Sequence, residues 1–113
     1  MKAWKKLLSV GLFATVLSLA AVPSSAEATV IGVQGHEGWR VDINDSSVYM
    51  VGRNHAHVVI AIRYDRYWTK AFPVDVAWGK GFSCAEIDDY GNVGQQINYE
   101  VGLAVANYMS ENY

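Results

Sequence analysis

His55 and His57 are separated by one residue, so on an extended chain both rings leave the same face. Two imidazoles at that spacing can ligate a metal, and His36-Glu37 supplies further donors if its loop lies nearby. Without a fixed third ligand, two such histidines read better as polar residues on the solvent side of a half-buried strand. Glu86, Asp88 and Asp89 offer carboxylates for acid–base work if one is desolvated, but their place beside a polar turn argues for solvation. Asp42-Ile43-Asn44-Asp45-Ser46-Ser47 begins like a calcium loop. Ser47 stands where that loop requires Gly, and Arg53 where it requires a bidentate Glu, so a polar turn is expected instead. Cys84 is the single cysteine, which excludes an intramolecular disulfide. A buried thiol is expected, with an intermolecular disulfide as the alternative. There is no phosphate loop, nucleophile elbow or serine-triad signature. The residues therefore point to no catalytic group, no metal and no cofactor.

The densest group with binding chemistry is aromatic and cationic. Tyr64, Tyr67 and Trp68 lie among Arg63, Arg66 and Lys70. Rigid aromatics and arginines are what binding hot spots use, and the rings could also stack on sugars. Arg63, Tyr64, Tyr67 and Trp68 are the candidate ligand-binding residues, for a protein or a glycan. The competing reading has Tyr64 and Trp68 completing a core while the charges face water.

The element that must position these residues is His57 to Asp65. Val58, Ile60, Ile62 and Tyr64 alternate with His57, Val59, Ala61, Arg63 and Asp65, the pattern of a strand with one buried face. Thr29 to Val33 and Gly38 to Ile43 read as earlier strands with a turn at Gln34 to Gly38. Asn44 to Ser47 reads as a turn, Val48 to Val51 as a short strand or bridge, and Gly52-Arg53-Asn54 as the turn into the central strand. Arg66 to Lys70 reads as a connection. Ala71 to Trp78 and Phe82 to Asp88 follow as strands joined by Gly79-Lys80-Gly81. Asp89-Tyr90-Gly91 then breaks the sheet. Val93, Ile97, Val101, Ala104, Val105 and Tyr108 make a helical stripe, with Asn92 as N-cap and Gln95 three residues on. Gly102 at its edge suggests close approach to the sheet, while Tyr99, Leu103 and Ala106 lie off the stripe. The expected fold is α+β: a small antiparallel sheet of about five or six strands against one C-terminal amphipathic helix.

The N-terminus reads as an address. Lys2, Lys5 and Lys6 precede an uncharged run from Leu7 to Val22, and Pro23 to Ala28 offers small residues. That is the form of a secretory signal peptide over 1–28, cut after Ala26 or Ala28. The run is shorter than the ~20 residues of a membrane span. Residues 29–113 then form one domain, exported to the periplasm, cell surface or exterior, with no stable membrane insertion. The full chain carries a net charge of −2, and removal of three lysines makes the remainder more acidic. An acidic domain without a basic run is a poor nucleic-acid binder. Its small core, together with the Tyr99–Leu103 pair or the open sheet face, predicts a homodimer.

Gly38-Trp39-Arg40-Val41-Asp42-Ile43-Asn44-Asp45-Ser46-Ser47-Val48 runs an aromatic strand into an Asp, then a Ser before Val. An Asn-led alternating strand follows from Asn54 to Asp65, and a later strand carries Cys84. Over about Gly38 to Asp88 this resembles the surface-adhesin protein E-like domains of bacteria. It departs from them in lacking an opening Trp in the first strand and a partner for Cys84. The resemblance implies a small exported sheet-and-helix domain, with host-surface binding in some members. The expected function is a non-enzymatic, adhesin-like envelope or surface module. The alternative is a small metal-dependent enzyme or metal carrier using His55 and His57.

Overall fold

The computed structural model, which describes residues 28–113, places the alternating stretch at the centre of an antiparallel sheet. The strands are β1 (Ala28–Val33), β2 (His36–Gly52), β3 (His55–Tyr64), β4 (Tyr67–Trp68), β5 (Phe72–Ala77), β6 (Ser83–Ile87) and β7 (Val93–Gln96). One helix, α1 (Tyr99–Asn112), ends the chain. The sheet order is β1-β2-β3-β5-β6-β7, with β4 folded back onto β3. This is the expected α+β architecture, with seven strands. Apart from Ala28, the leader expected over 1–28 lies outside the described residues. Among the described residues no helix is long and apolar enough to cross a membrane.

Period-two alternation explains the core. Ala56, Val58, Ile60 and Ile62 of β3 are buried, and Val41 and Ile43 of β2 and Val74 and Val76 of β5 flank them on the same face. Val101, Val105, Ala106 and Met109 of α1 cover that face. Burying each such aliphatic side chain stabilises the fold by roughly 1.5–3 kcal/mol before entropy is counted.

Three local expectations change outside the β3–β4 hairpin. The turn expected over Gln34 to Gly38 shrinks to two residues, Gln34 and Gly35. The turn expected over Asn44 to Ser47 is a bulge inside one long strand. Asn44 pairs with Val59 and Tyr49 with His57, so β2 takes five steps where β3 takes two. Ser47 fills the gap: its hydroxyl donates to the Asn44 carbonyl (2.7 Å) and accepts from the Val59 amide (2.8 Å). The side chain stands in for a ladder partner and gives the Val59 amide an acceptor.

The third change concerns the helix, which starts at Tyr99 rather than at Val93, with Asn98 rather than Asn92 as its cap. Asn98 Oδ1 accepts from the Val101 amide (3.1 Å). Val93–Gln96 instead pairs with β6, whose outer edge would otherwise hold unpaired groups. Gln96 Oε1 accepts from the Cys84 amide (3.0 Å), and the Ile97 amide donates to the Cys84 carbonyl (2.9 Å). The buried stripe also differs, running through Val101, Val105, Ala106 and Met109. Ala106, expected on the outer side, is buried, and Val93 is exposed on the sheet edge. Tyr99 does stay outside, tilted against Phe82 with ring centroids 5.2 Å apart.

Cys84 is buried and free, as expected. Burial, reinforced by the Asp75 charge, pushes its thiol from about 9 up to about 12. Burial and the hydrogen bond to Asp45 likewise push the Tyr108 hydroxyl from about 10 to about 12. Both groups hold their protons more tightly folded than unfolded. Their stabilisation is complete below the unfolded values and is lost as pH rises through the folded ones. Urea midpoints should therefore fall between pH 9 and 12, and less steeply in the Cys84→Ala/Tyr108→Phe double variant. A variant with the parental slope would refute this assignment.

Candidate ligand-binding site

The β3–β4 hairpin is closed by two residues, Asp65 and Arg66. Asp65 adopts a left-handed backbone (φ 58°), which an Asp tolerates better than most side chains. Its carboxylate lies over Gly38, where any Cβ would collide with it. The turn sets the register Tyr64↔Tyr67 and Arg63↔Trp68. The connection expected over Arg66 to Lys70 thus contains a short strand. The Thr69 hydroxyl accepts from the Ile62 amide (3.0 Å) and the Thr69 amide donates to the Ile62 carbonyl (2.8 Å), which fixes the return.

This register divides the four candidate residues between the two faces of the sheet. Tyr64 and Tyr67 stand on the helix side, ring centroids 6.5 Å apart. Tyr64 meets Trp39 edge-on at 4.7 Å, and Trp39 stacks on His36 at 3.7 Å. The result is a row of four rings from β2 to β4. Arg63 and Trp68 stand on the open face, the guanidinium carbon 5.7 Å from the indole centroid. Tyr64 is half-buried against the core, whereas Tyr67 is 66% and Trp68 42% exposed. Sequence reasoning missed Trp39 and His36 here, because only the hairpin register brings them beside Tyr64.

The histidines fall elsewhere. His55 and His57 do share a face, the open one, at the opposite end of β3. They converge on Asp75, which the register sets directly across from His57. Asp75 Oδ1 lies 2.7 Å from His55 Nε2 and 3.0 Å from His57 Nε2. Both rings thus reach the same carboxylate oxygen through Nε2. The Asp75 side chain is 12% exposed, and the two rings screen it from water. Sequence reasoning missed Asp75 because it sits between Val74 and Val76 in a run that reads as apolar. His36 lies apart, 3.8 Å from Glu100. Among the described residues no three His, Cys, Asp or Glu side chains form a group that could hold a metal ion.

The acidic turn is a capping device. The Asp88 carboxylate accepts from the amides of Asn92 (2.8 Å) and Tyr90 (2.9 Å), and these bonds hold it below the usual carboxylate range. Glu86 and Asp89 are exposed. Asp45, in the run read as a polar turn, is buried. Its Oδ1 accepts from Tyr108 (2.6 Å) and Tyr113 (2.9 Å), and its Oδ2 from Thr29 (2.6 Å).

Fold and site together define an antiparallel sheet-and-helix domain with an aromatic, cationic end. Comparison with protein-family models, with curated proteins and with solved structures returns no match.

Proposed function

We propose that this chain is an exported, non-enzymatic binding module of the bacterial envelope or surface, adhesin-like in kind, which takes a protein or glycan at its β3–β4 end. One observation carries the reading. Tyr67 and Trp68 are held largely exposed on a strand that is hydrogen-bonded into the sheet rather than on a free loop. Exposed rings on a rigid support lose little entropy on binding, which is what recognition surfaces need. The signal-peptide pattern of the N-terminus supports export, and the resemblance over Gly38 to Asp88 supports the surface role.

Glycan arrays and pull-downs with the purified protein test the binding reading. Tyr67→Ala with Trp68→Ala should lower affinity for a captured ligand at least tenfold, as expected for aromatic hot spots at about 2 kcal/mol or more each. Unchanged capture would place the ligand surface elsewhere. Cell fractionation, with mass spectrometry of the exported species, tests the leader. A full-length cytoplasmic product would refute it.

A further inference from the structure

Arg40 and Arg63 stand directly opposite each other in the β2–β3 register, on the face away from the helix. Side chains so paired leave the backbone about 5 Å apart at Cβ, and like charges there repel. Among the described residues no carboxylate forms an ion pair with either. Arg40 turns Nη1 to the backbone carbonyls of Glu37 (2.7 Å) and Trp39 (2.8 Å). Arg63 leans on Trp68, and its Nε is buried with no hydrogen-bond partner. Asp42, two residues on from Arg40, shares this face without an ion pair to either guanidinium, and burial, then the Asp45 charge, hold its carboxyl above the ordinary value. Exposed Arg66 and Lys70 flank β4 at the same end. Of the cations after Lys6, only Arg53 and Lys80 lie elsewhere, in turns at the opposite end of the sheet. A domain with an excess of acidic residues thus gathers most of its positive charge around one exposed indole.

Beside the pair, the open face carries a depression of about 230 Å³ lined by Asp42, Asn44, Val59 and Ala61. It combines acceptors for hydroxyl groups with a small apolar floor. A sugar brings hydroxyls that can donate to Asp42 and Asn44 beside its anionic group, donors that the side chains of an acidic peptide lack. We infer that Arg40, Arg63 and Trp68 bind an acidic glycan, its carboxylate or sulfate on the guanidinium groups and a pyranose ring against the indole. This rests on the binding-module reading and names its ligand. Guanidinium groups suit the role because their planar donors match carboxylate and sulfate oxygens.

Isothermal titration of the purified protein tests this with four probes: a galacturonate hexamer, a chondroitin sulfate hexasaccharide, neutral cellohexaose and a hexaglutamate peptide. At least one acidic glycan should bind, and more tightly than either cellohexaose or hexaglutamate. The tighter of the two identifies the anion as carboxylate or sulfate. Raising salt from 50 to 300 mM should weaken it at least fivefold. Arg63→Gln and Arg40→Gln should each weaken it at least fivefold, with circular dichroism unchanged. Should either fail to fold, the Arg66→Ala/Lys70→Ala variant, altered only at exposed positions, should still lower affinity two- to fivefold. Equal binding of cellohexaose or hexaglutamate, arginine variants that bind like the parent, or no binding of either acidic glycan would overturn the inference. The two readings fail separately. Loss on Tyr67→Ala/Trp68→Ala without loss on the arginine variants keeps the module and removes its acidic ligand. Loss on the arginine variants alone keeps the anion site, removes Trp68 from it and refutes the aromatic hot spot.

Discussion

Asp45→Ala should lower stability by about 3–5 kcal/mol, the range for stripping the charged partner from a buried hydrogen-bonded cluster. The Asp45 carboxylate ties β1 through Thr29 to the helix through Tyr108, and reaches the C-terminal Tyr113. Hydroxyls that donate to a carboxylate form charge-assisted bonds, stronger than neutral ones. Removing the acceptor leaves these donors together in a partly dry site. For a domain of this size the melting temperature should fall by more than about 10 °C. Tyr108→Phe removes one donor and should cost less, about 1.5–3 kcal/mol. Thermal melts of the three proteins at pH 7 give the ranking. If Asp45→Ala melted within 3 °C of the parent, the cluster would contribute nothing to stability.

Gly102→Leu should cost about 3 kcal/mol, at the upper end for overpacking a closed core. A Cβ at Gly102 would sit 3.2 Å from the Cβ of Cys84 and 3.5 Å from the Phe82 ring. The Cys84 Cβ is fixed to the β6 backbone and cannot swing aside. Gly102→Ala sets two effects against each other. Better helix propensity contributes about 1 kcal/mol, and the tight contact offsets it. The Ala variant should therefore stay within about 1 kcal/mol of the parent while the Leu variant does not. Urea denaturation of both separates a close helix–sheet contact from a glycine that any side chain could replace. A Leu variant as stable as the parent would show the space to be open.

The sheet was legible wherever alternation was uninterrupted. Val58, Ile60 and Ile62, and Val74 and Val76, declare a buried face by spacing alone, and the hairpin glycines mark its borders. Gly102 was legible too, because a glycine inside a helix needs a packing reason. The errors have physical causes. Val93 and Ile97 fit a helical stripe, yet Val93–Gln96 closes the edge of β6, a demand that only the partner strand reveals. The polar run Asn44 to Ser47 reads as a turn because nothing local shows that Ser47 can stand in for a ladder partner. The site was half legible. Its residue types were evident at Arg63 to Trp68, but the turn at Asp65 decides which face each one takes. Trp39 and Arg40 came from another strand, and the hairpin register that brings them in is a tertiary fact.

The order of the sheet bears on how the chain folds. Each main strand lies beside its sequence neighbour, so the sheet can grow hairpin by hairpin, and each step closes only a short loop. Such local pairing favours rapid folding. The Asp45 cluster breaks this pattern, since it joins residues 16, 63 and 68 positions apart. Its bonds to α1 need β2 and the helix both in place, so that part of the cluster forms late on the folding path and registers the arrival of the helix. Interactions absent from the transition state act mainly on unfolding. The Asp45 cluster therefore sets how long the native state persists more than how quickly it is reached.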